Sequence, residues 1–123
     1  MIRSFFFDTY AFCEMLKGSV NYEPYSKGIK IITTKLNLME FHYFLLLNYD
    51  KETADRYYDY FAKFTIAIED EAIKKASEIR MTFKHKKLSY IDCLGYVIAS
   101  FNGVRFLTGD KQFEGMDNVE FVK

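Results

Sequence analysis

An α/β fold, a central parallel sheet with helices on both of its faces, is what this sequence predicts. Strand-like runs alternate with helical patterns from end to end, and that alternation builds parallel sheets through right-handed crossovers. The 123 residues make one domain, 1–123, long enough for a real core but too short for two ordinary ones. Half the residues are apolar and 28% are charged, the balance of a globular protein. No apolar run reaches the roughly 18 residues that a membrane span needs.

Ile2–Phe7 is a β-rich run that ends at Asp8, and Thr9–Leu16 reads as a short helix broken at Lys17-Gly18. Residues 18–28 hold Gly18, the only proline (Pro24) and Gly28, and predict a loop or a short helix. Ile29–Thr33 is the second strand. Thr34–Asn48 is apolar almost all round, which predicts a largely buried helix, and it carries one acid, Glu40, in its first half. Asp50 can cap the next helix, Lys51–Lys63. Its Tyr57, Tyr58 and Phe61 form an aromatic face suited either to the core or to a dimer contact. Phe64–Ile68 reads as a third strand, and Glu69–Lys86 as an amphipathic helix with Ala72, Ile73, Ala76, Ile79 and Phe83 on one face.

The segment Leu88–Phe113 organises the rest. Ser89 can cap a helix whose Ile91, Leu94, Val97, Ile98 and Phe101 recur at roughly helical spacing, and Asn102-Gly103 ends it. Val104–Leu107 is then a strand with Thr108-Gly109-Asp110 as its exit turn, and Val119–Val122 is a last strand. A strand antiparallel to the preceding helix returns Asp110 toward the helix start, near Asp92.

Ligand sites in open parallel sheets gather beyond the carboxyl ends of the strands. Asp8 and Asp110 leave two strands there, Asp92 lies in the first turn of a helix, and Glu40 lies about two turns into another. Like charges a few ångströms apart raise one another's pKa, and a divalent cation relieves them. All-oxygen ligands with retained water suit Mg²⁺ or Mn²⁺. The chemistry that uses such a site is phosphodiester cleavage by a metal-activated water.

Each acid also has a plainer reading. Ser89-x-x-Asp92 fits a capping box, Asp110 can cap a final short helix, and Asp8 can cap the first. Glu40 resists such an explanation, because an acid in a nearly all-apolar helix costs several kcal/mol unless it is paired or metal-bound. The acids Glu69, Asp70, Glu71 and Glu78 belong to helix starts and solvated faces.

Four segments, FFFDTYAF, NLMEFHYFL, LSYIDCLGYVIA and FLTGDKQF, stand in an order and spacing that resemble a PIN domain, most closely the short VapC toxin ribonucleases of VapBC toxin–antitoxin pairs. The resemblance spans nearly the whole chain. It implies an α/β/α sandwich and metal-dependent endonuclease activity on RNA, with Asp8, Glu40, Asp92 and Asp110 as the acidic metal-site residues for Mg²⁺ or Mn²⁺. Thr108 and Thr9 would be supporting hydroxyls. The implied partners are a second copy of the chain, as a homodimer, and a small VapB-type antitoxin that covers the active site. Two positions depart from the pattern: Gln112 stands where many relatives carry a further acid, and Tyr10 where the residue is often small. Gln112 weakens the case for a second metal, and Tyr10 is expected to narrow the cleft.

The 17 basic and 17 acidic residues cancel, so any grip on RNA must come from local patches. The densest is Lys84-His85-Lys86-Lys87, expected in the last turn of its helix, and Lys35 and Lys111 stand close to the candidate acids. Thirteen Phe and ten Tyr, with no Trp, predict an aromatic core and oligomer contacts, with stacking on bases as the functional counterpart. Cys13 and Cys93 lack ligand spacing and read as small core residues, and His42 and His85 as non-ligands. The start of the chain has no signal-peptide layout, so a reducing cytoplasm is expected. A catalytically inactive PIN domain that binds RNA or assembles with protein is the competing expectation. A phospho-receiver needs an acidic pair after its first strand, where Asp8 stands alone, and a haloacid-dehalogenase-type phosphatase needs Asp-x-Asp, where position 10 is Tyr.

Overall fold

The computed structural model describes residues 2–123. Among them, β1 (Arg3–Phe7), β2 (Ile29–Ile32), β3 (Arg105–Thr108) and β4 (Val119–Phe121) form one sheet in the order β2-β1-β3-β4, with every neighbouring pair parallel. The helices are α1 (Thr9–Leu16), α2 (Lys35–Asn48), α3 (Lys51–Ala62), α4 (Asp70–Thr82) and α5 (Tyr90–Phe101). Val20–Tyr25 and Lys111–Phe113 are short 3-10 turns. No helix among the described residues is long and apolar enough to cross a membrane.

Alternation along the strands makes the three layers. Successive side chains point to opposite faces, so Phe5 and Phe7 join Leu107 in a cluster with Phe12, Leu38, Phe41, Leu45 and Phe61 from α1, α2 and α3. Phe6 and Phe106 face the other way, into Ala72, Ala76, Leu94, Val97 and Ile98 from α4 and α5. A Cβ at Gly95 would stand 2.8 Å from the Phe6 ring and 3.1 Å from Phe106. Its absence seats α5 directly on the sheet and sets the height of the first turn of that helix. Cys93 is buried and Cys13 half-buried, both free thiols, and burial pushes them up to about 11 and about 12. At those values neither is a ready nucleophile.

Three expectations need correction, and one open alternative is decided. Phe64–Ile68 is not a strand: it makes a single bridge, Thr65 beside Thr33, with amide bonds of 3.1 and 3.0 Å on either side. The reason is that β2 ends at Ile32 and Thr34 already caps α2, so the run finds one residue of edge to pair with. Helix α2 is not largely buried. Leu38, Phe41 and Leu45 face the core, but Tyr43 and Leu47 are 62% and 66% exposed, and Met39 and Leu46 are exposed with them. One side of α2 packs on α1 and α3, and nothing among the described residues covers the other. The aromatic face of α3 belongs to the core, with Phe61 buried and Tyr57 and Tyr58 packed on its cluster. Finally, α4 ends at Thr82, so Lys84–Lys87 lies in the turn beyond it rather than in its last turn.

Candidate functional site

β1 lies between β2 and β3, and the chain leaves β1 toward one neighbour and later returns on the other side. The carboxyl ends of β1 and β3 are therefore the switch point, where a parallel sheet leaves a crevice. Phe7 is in register with Leu107, and the Asp8 amide donates to the Leu107 carbonyl at 3.1 Å, so the residues that follow both strands emerge side by side. Thr108, fully buried, ties them together. Its hydroxyl donates to Asp8 Oδ2 at 2.7 Å and accepts from the Asp110 amide at 3.1 Å.

Glu40 is held from the other side. Thr34 caps α2 by accepting from the Asn37 amide at 3.2 Å, which places Glu40 one turn further along, three residues after Asn37 and on the same face. Asn37, 0% exposed, accepts from the Thr34 hydroxyl at 2.7 Å and donates from Nδ2 to Thr9 Oγ1 at 3.3 Å. With that lone pair occupied, the Thr9 hydroxyl donates to Glu40 Oε1 at 2.6 Å. Glu40 thus stands half-buried beside the residue that follows Asp8, and is not turned to bulk solvent. Asn37 was missed as a functional position. The available signal was a polar side chain one helical turn before the acid, on an otherwise apolar helix. Replacing Thr9 by Val should leave Asn37 Nδ2 buried without an acceptor, a loss of about 1–3 kcal/mol. Urea unfolding of the metal-free protein checks this, and an unchanged midpoint would contradict the network.

The capping readings divide. Asp8 makes no side-chain cap to α1, so that explanation fails for it. Asp92 completes a full capping box, with Oδ2 accepting from the Ser89 amide at 2.8 Å and Ser89 Oγ accepting from the Asp92 amide at 3.0 Å. Asp110 Oδ1 accepts from the Gln112 amide at 3.0 Å and caps the 3-10 turn. In Glu40, Asp92 and Asp110 one carboxylate oxygen is tied to the protein, and the other takes no hydrogen bond from the described residues.

The electrostatics show charge without compensation. Burial raises Asp8 from 3.8 to about 7, and the charges of Asp92 and Glu40 add to the rise against the Thr108 hydrogen bond. Burial also raises Glu40 and Asp92 above the usual carboxylate range. The Asp92 charge adds to the rise on Glu40, and the Asp110 charge to that on Asp92. Asp8, Glu40 and Asp92 thus sense one another, and no lysine or arginine forms an ion pair with any of the four acids among the described residues. The donor set is oxygen only, which fits a hard divalent cation. Among the described residues no three His, Cys, Asp or Glu side chains stand close enough to enclose an ion. So open a donor set fits Mg²⁺ best, because that ion keeps several of its waters.

Around the acids, Gln112 uses its side-chain oxygen to accept from the Lys87 amide at 3.1 Å, which fastens the basic turn to the Asp110 turn. A Cβ at Gly109 would collide with the Val122 carbonyl and the Tyr10 ring. Tyr10 therefore packs on the turn that presents Asp110. His42 bonds Asp55 at 2.8 Å in a groove of about 550 Å³ between α2 and α3 that none of the four acids lines.

Comparison with known proteins agrees with this architecture. Solved structures similar to this chain include VapC20 of Mycobacterium tuberculosis, described as a sarcin-ricin loop cleaving toxin (TM-score 0.79, 15% identity, covering 97% of this chain and 99% of that one). A toxin–antitoxin complex from Klebsiella pneumoniae is similar at a TM-score of 0.75 and 17% identity, with 93% of each chain covered. VapBC2 of Rickettsia felis, bound to a DNA fragment from its promoter, is similar at 0.71 and 18%, covering 98% and 99%. A search of curated protein sequences finds no match. The PIN domain family model matches residues 5–119, nearly the whole chain and all four acids, and the chain belongs to the PIN domain family.

Proposed function

We propose that residues 1–123 work as a single VapC-like nuclease domain, an endoribonuclease dependent on Mg²⁺ or Mn²⁺. What supports the reading is that Asp8, Glu40 and Asp92, from distant segments, feel one another's charge with no cation paired to them among the described residues, while Thr108 ties Asp8 to the Asp110 turn. Asp8, Asp92 and Asp110 are the direct oxygen ligands, and Glu40 is a ligand or the base that orients the attacking water. When bound, the cation supplies an acidified water and positive charge for the phosphoryl oxygens. The protein's part is placement. Thr108 fixes Asp8 against the Asp110 turn, Thr9 fixes one oxygen of Glu40, and Ser89 fixes one oxygen of Asp92. Burial raises the Glu40 carboxyl, which makes it the stronger proton acceptor when ionised. Lys35, at the start of α2, and Lys111, beside Asp110, would be the cations that meet substrate phosphates.

A second copy of the chain, a small VapB-type antitoxin over the acids and a cytoplasmic setting complete the reading. The uncovered stripe of Met39, Tyr43 and Leu46 on α2 is the apolar surface open to the second copy. The competing reading, an inactive PIN domain that binds RNA or assembles with protein, is favoured by Gln112, whose side chain holds Lys87 and leaves no acid there. Incubation of the purified chain with labelled RNA separates the two. Cleavage with Mn²⁺ that stops with EDTA supports the nuclease, whereas no cleavage, or cleavage indifferent to EDTA, overturns it.

A further inference from the structure

We propose that a shallow groove of about 230 Å³ beside the first turn of α5, lined by Ser77, Arg80, Met81, Lys84 and Tyr90, is a subsite for single-stranded RNA in which a base stacks on Tyr90. The inference rests on the ribonuclease reading and extends it to the path of the substrate. Tyr90 is 68% exposed, more open than Tyr43, Tyr49, Tyr60 or Phe101. It is also held in place. The Arg80 guanidinium lies over the ring at 4.2 Å from its centroid, and Arg80 Nε donates to the Leu88 carbonyl at 3.3 Å. With one face covered by the cation, the exposure belongs to the other face and the edge. A fixed, open aromatic face flanked by cations is the arrangement on which single-stranded nucleic acids stack.

The groove is joined to the acids by the basic turn. Lys84 lines the groove, and Lys87, three residues on, donates its amide to Gln112 Oε1 at 3.1 Å. The Gln112 amide in turn donates to Asp110 Oδ1 at 3.0 Å. Lys87 is therefore tied through Gln112 to the Asp110 turn, and at most about 10 Å of chain separates it from Tyr90. None of Lys84, Lys86 and Lys87 forms an ion pair among the described residues, whereas Lys17, Lys51, Lys74, Lys75, Arg3 and Arg105 all do. In a chain of zero net charge, this run concentrates unneutralised positive charge beside the acids. Phosphates on either side of the stacked base meet these lysines. Gln112, the departure from the family pattern, fastens this turn to the Asp110 turn.

The test uses the full-length Asp8→Asn chain, to prevent cleavage, and fluorescence anisotropy with a labelled single-stranded oligoadenylate. Tyr90→Ala should weaken binding about tenfold, the scale of one lost base stack, and Tyr90→Phe should stay within about twofold of the parent because the ring remains. Changing Lys84, Lys86 and Lys87 together to Ala should lower the slope of log Kd against log salt by about 2. These positions lie outside the buried clusters, and thermal unfolding confirms that each variant is folded. Tyr90→Ala binding as tightly as its parent, or Tyr90→Phe binding as weakly as the alanine variant, overturns the subsite and assigns the groove to another occupant. The two readings fail separately. If Tyr90→Ala matches its parent while the wild-type chain cleaves RNA, only the subsite is overturned; a wild-type chain that neither cleaves nor binds RNA overturns both.

Discussion

Asp8→Asn is expected to lower RNA cleavage at least about a hundredfold while making the metal-free protein more stable above neutral pH. Both effects have one cause. Asp8 is 4% exposed and its carboxyl sits at about 7 in the fold against 3.8 when free, because burial and then the charge of Asp92 oppose its ionisation. The folded protein therefore holds this proton where the unfolded chain has released it. Between about pH 4 and about pH 7 the native state binds more protons, so stability falls as pH rises through that window, and the loss is complete above it. At about 1.4 kcal/mol per unit, the penalty on the charged group is on the order of a few kcal/mol. Asparagine fits the same space without the charge, so the variant escapes that part of the decline. Glu40 and Asp92 are raised as well and push the same way in both proteins, so the informative quantity is the difference between wild type and variant. Melting curves from pH 5 to pH 8 without metal measure it. A difference that vanishes at pH 8, or that favours the wild type there, would contradict the account.

Asp92 offers the second large effect, because its two carboxylate oxygens have different tasks. Oδ2 accepts from the Ser89 amide and completes the cap of α5, while Oδ1 takes no hydrogen bond from the described residues. Asp92→Asn keeps an amide oxygen for Ser89 and loses the charge. Its melting temperature should be at or above that of the wild type while cleavage falls about as far as in Asp8→Asn. Asp92→Ala loses the cap bond as well and should be less stable than the asparagine variant by about 1 kcal/mol. Steady-state cleavage and urea unfolding of the two variants give the comparison. An asparagine variant that cleaves at the wild-type rate would reduce Asp92 to a helix cap.

The legible parts of the fold were those where one residue type has one physical use. Asp8 and Asp110 at the ends of strand runs, and Ser89 ahead of a helical pattern, each carry a local signal for what they do. Helix α2 shows where composition stops informing. An all-apolar helix has no polar face to reveal its orientation, and nothing local told Leu38 and Leu45, which are buried, from Tyr43 and Leu47, which are not. Phe64–Ile68 has the composition of a strand, yet pairing needs a partner edge, and Thr33 is the one residue of edge it meets. Glu40 drew attention by an incomplete argument. It is set apart by the Thr34–Asn37–Thr9 chain aimed at it more than by the apolarity of its helix. Such a chain joins residues 28 and 31 positions apart, and only the folded arrangement brings them together. Lys84–Lys87 was legible as a basic run, but its fastening to Gln112 crosses 25 residues and was not.

Calorimetric titration of the metal-free chain with Mn²⁺ at pH 8 tests most directly whether these four carboxylates hold a divalent cation. The wild type should give a saturable isotherm, and Asp8→Asn should give only heats of dilution. Heats of dilution alone from the folded wild-type protein, or the same saturable isotherm from both proteins, would contradict it.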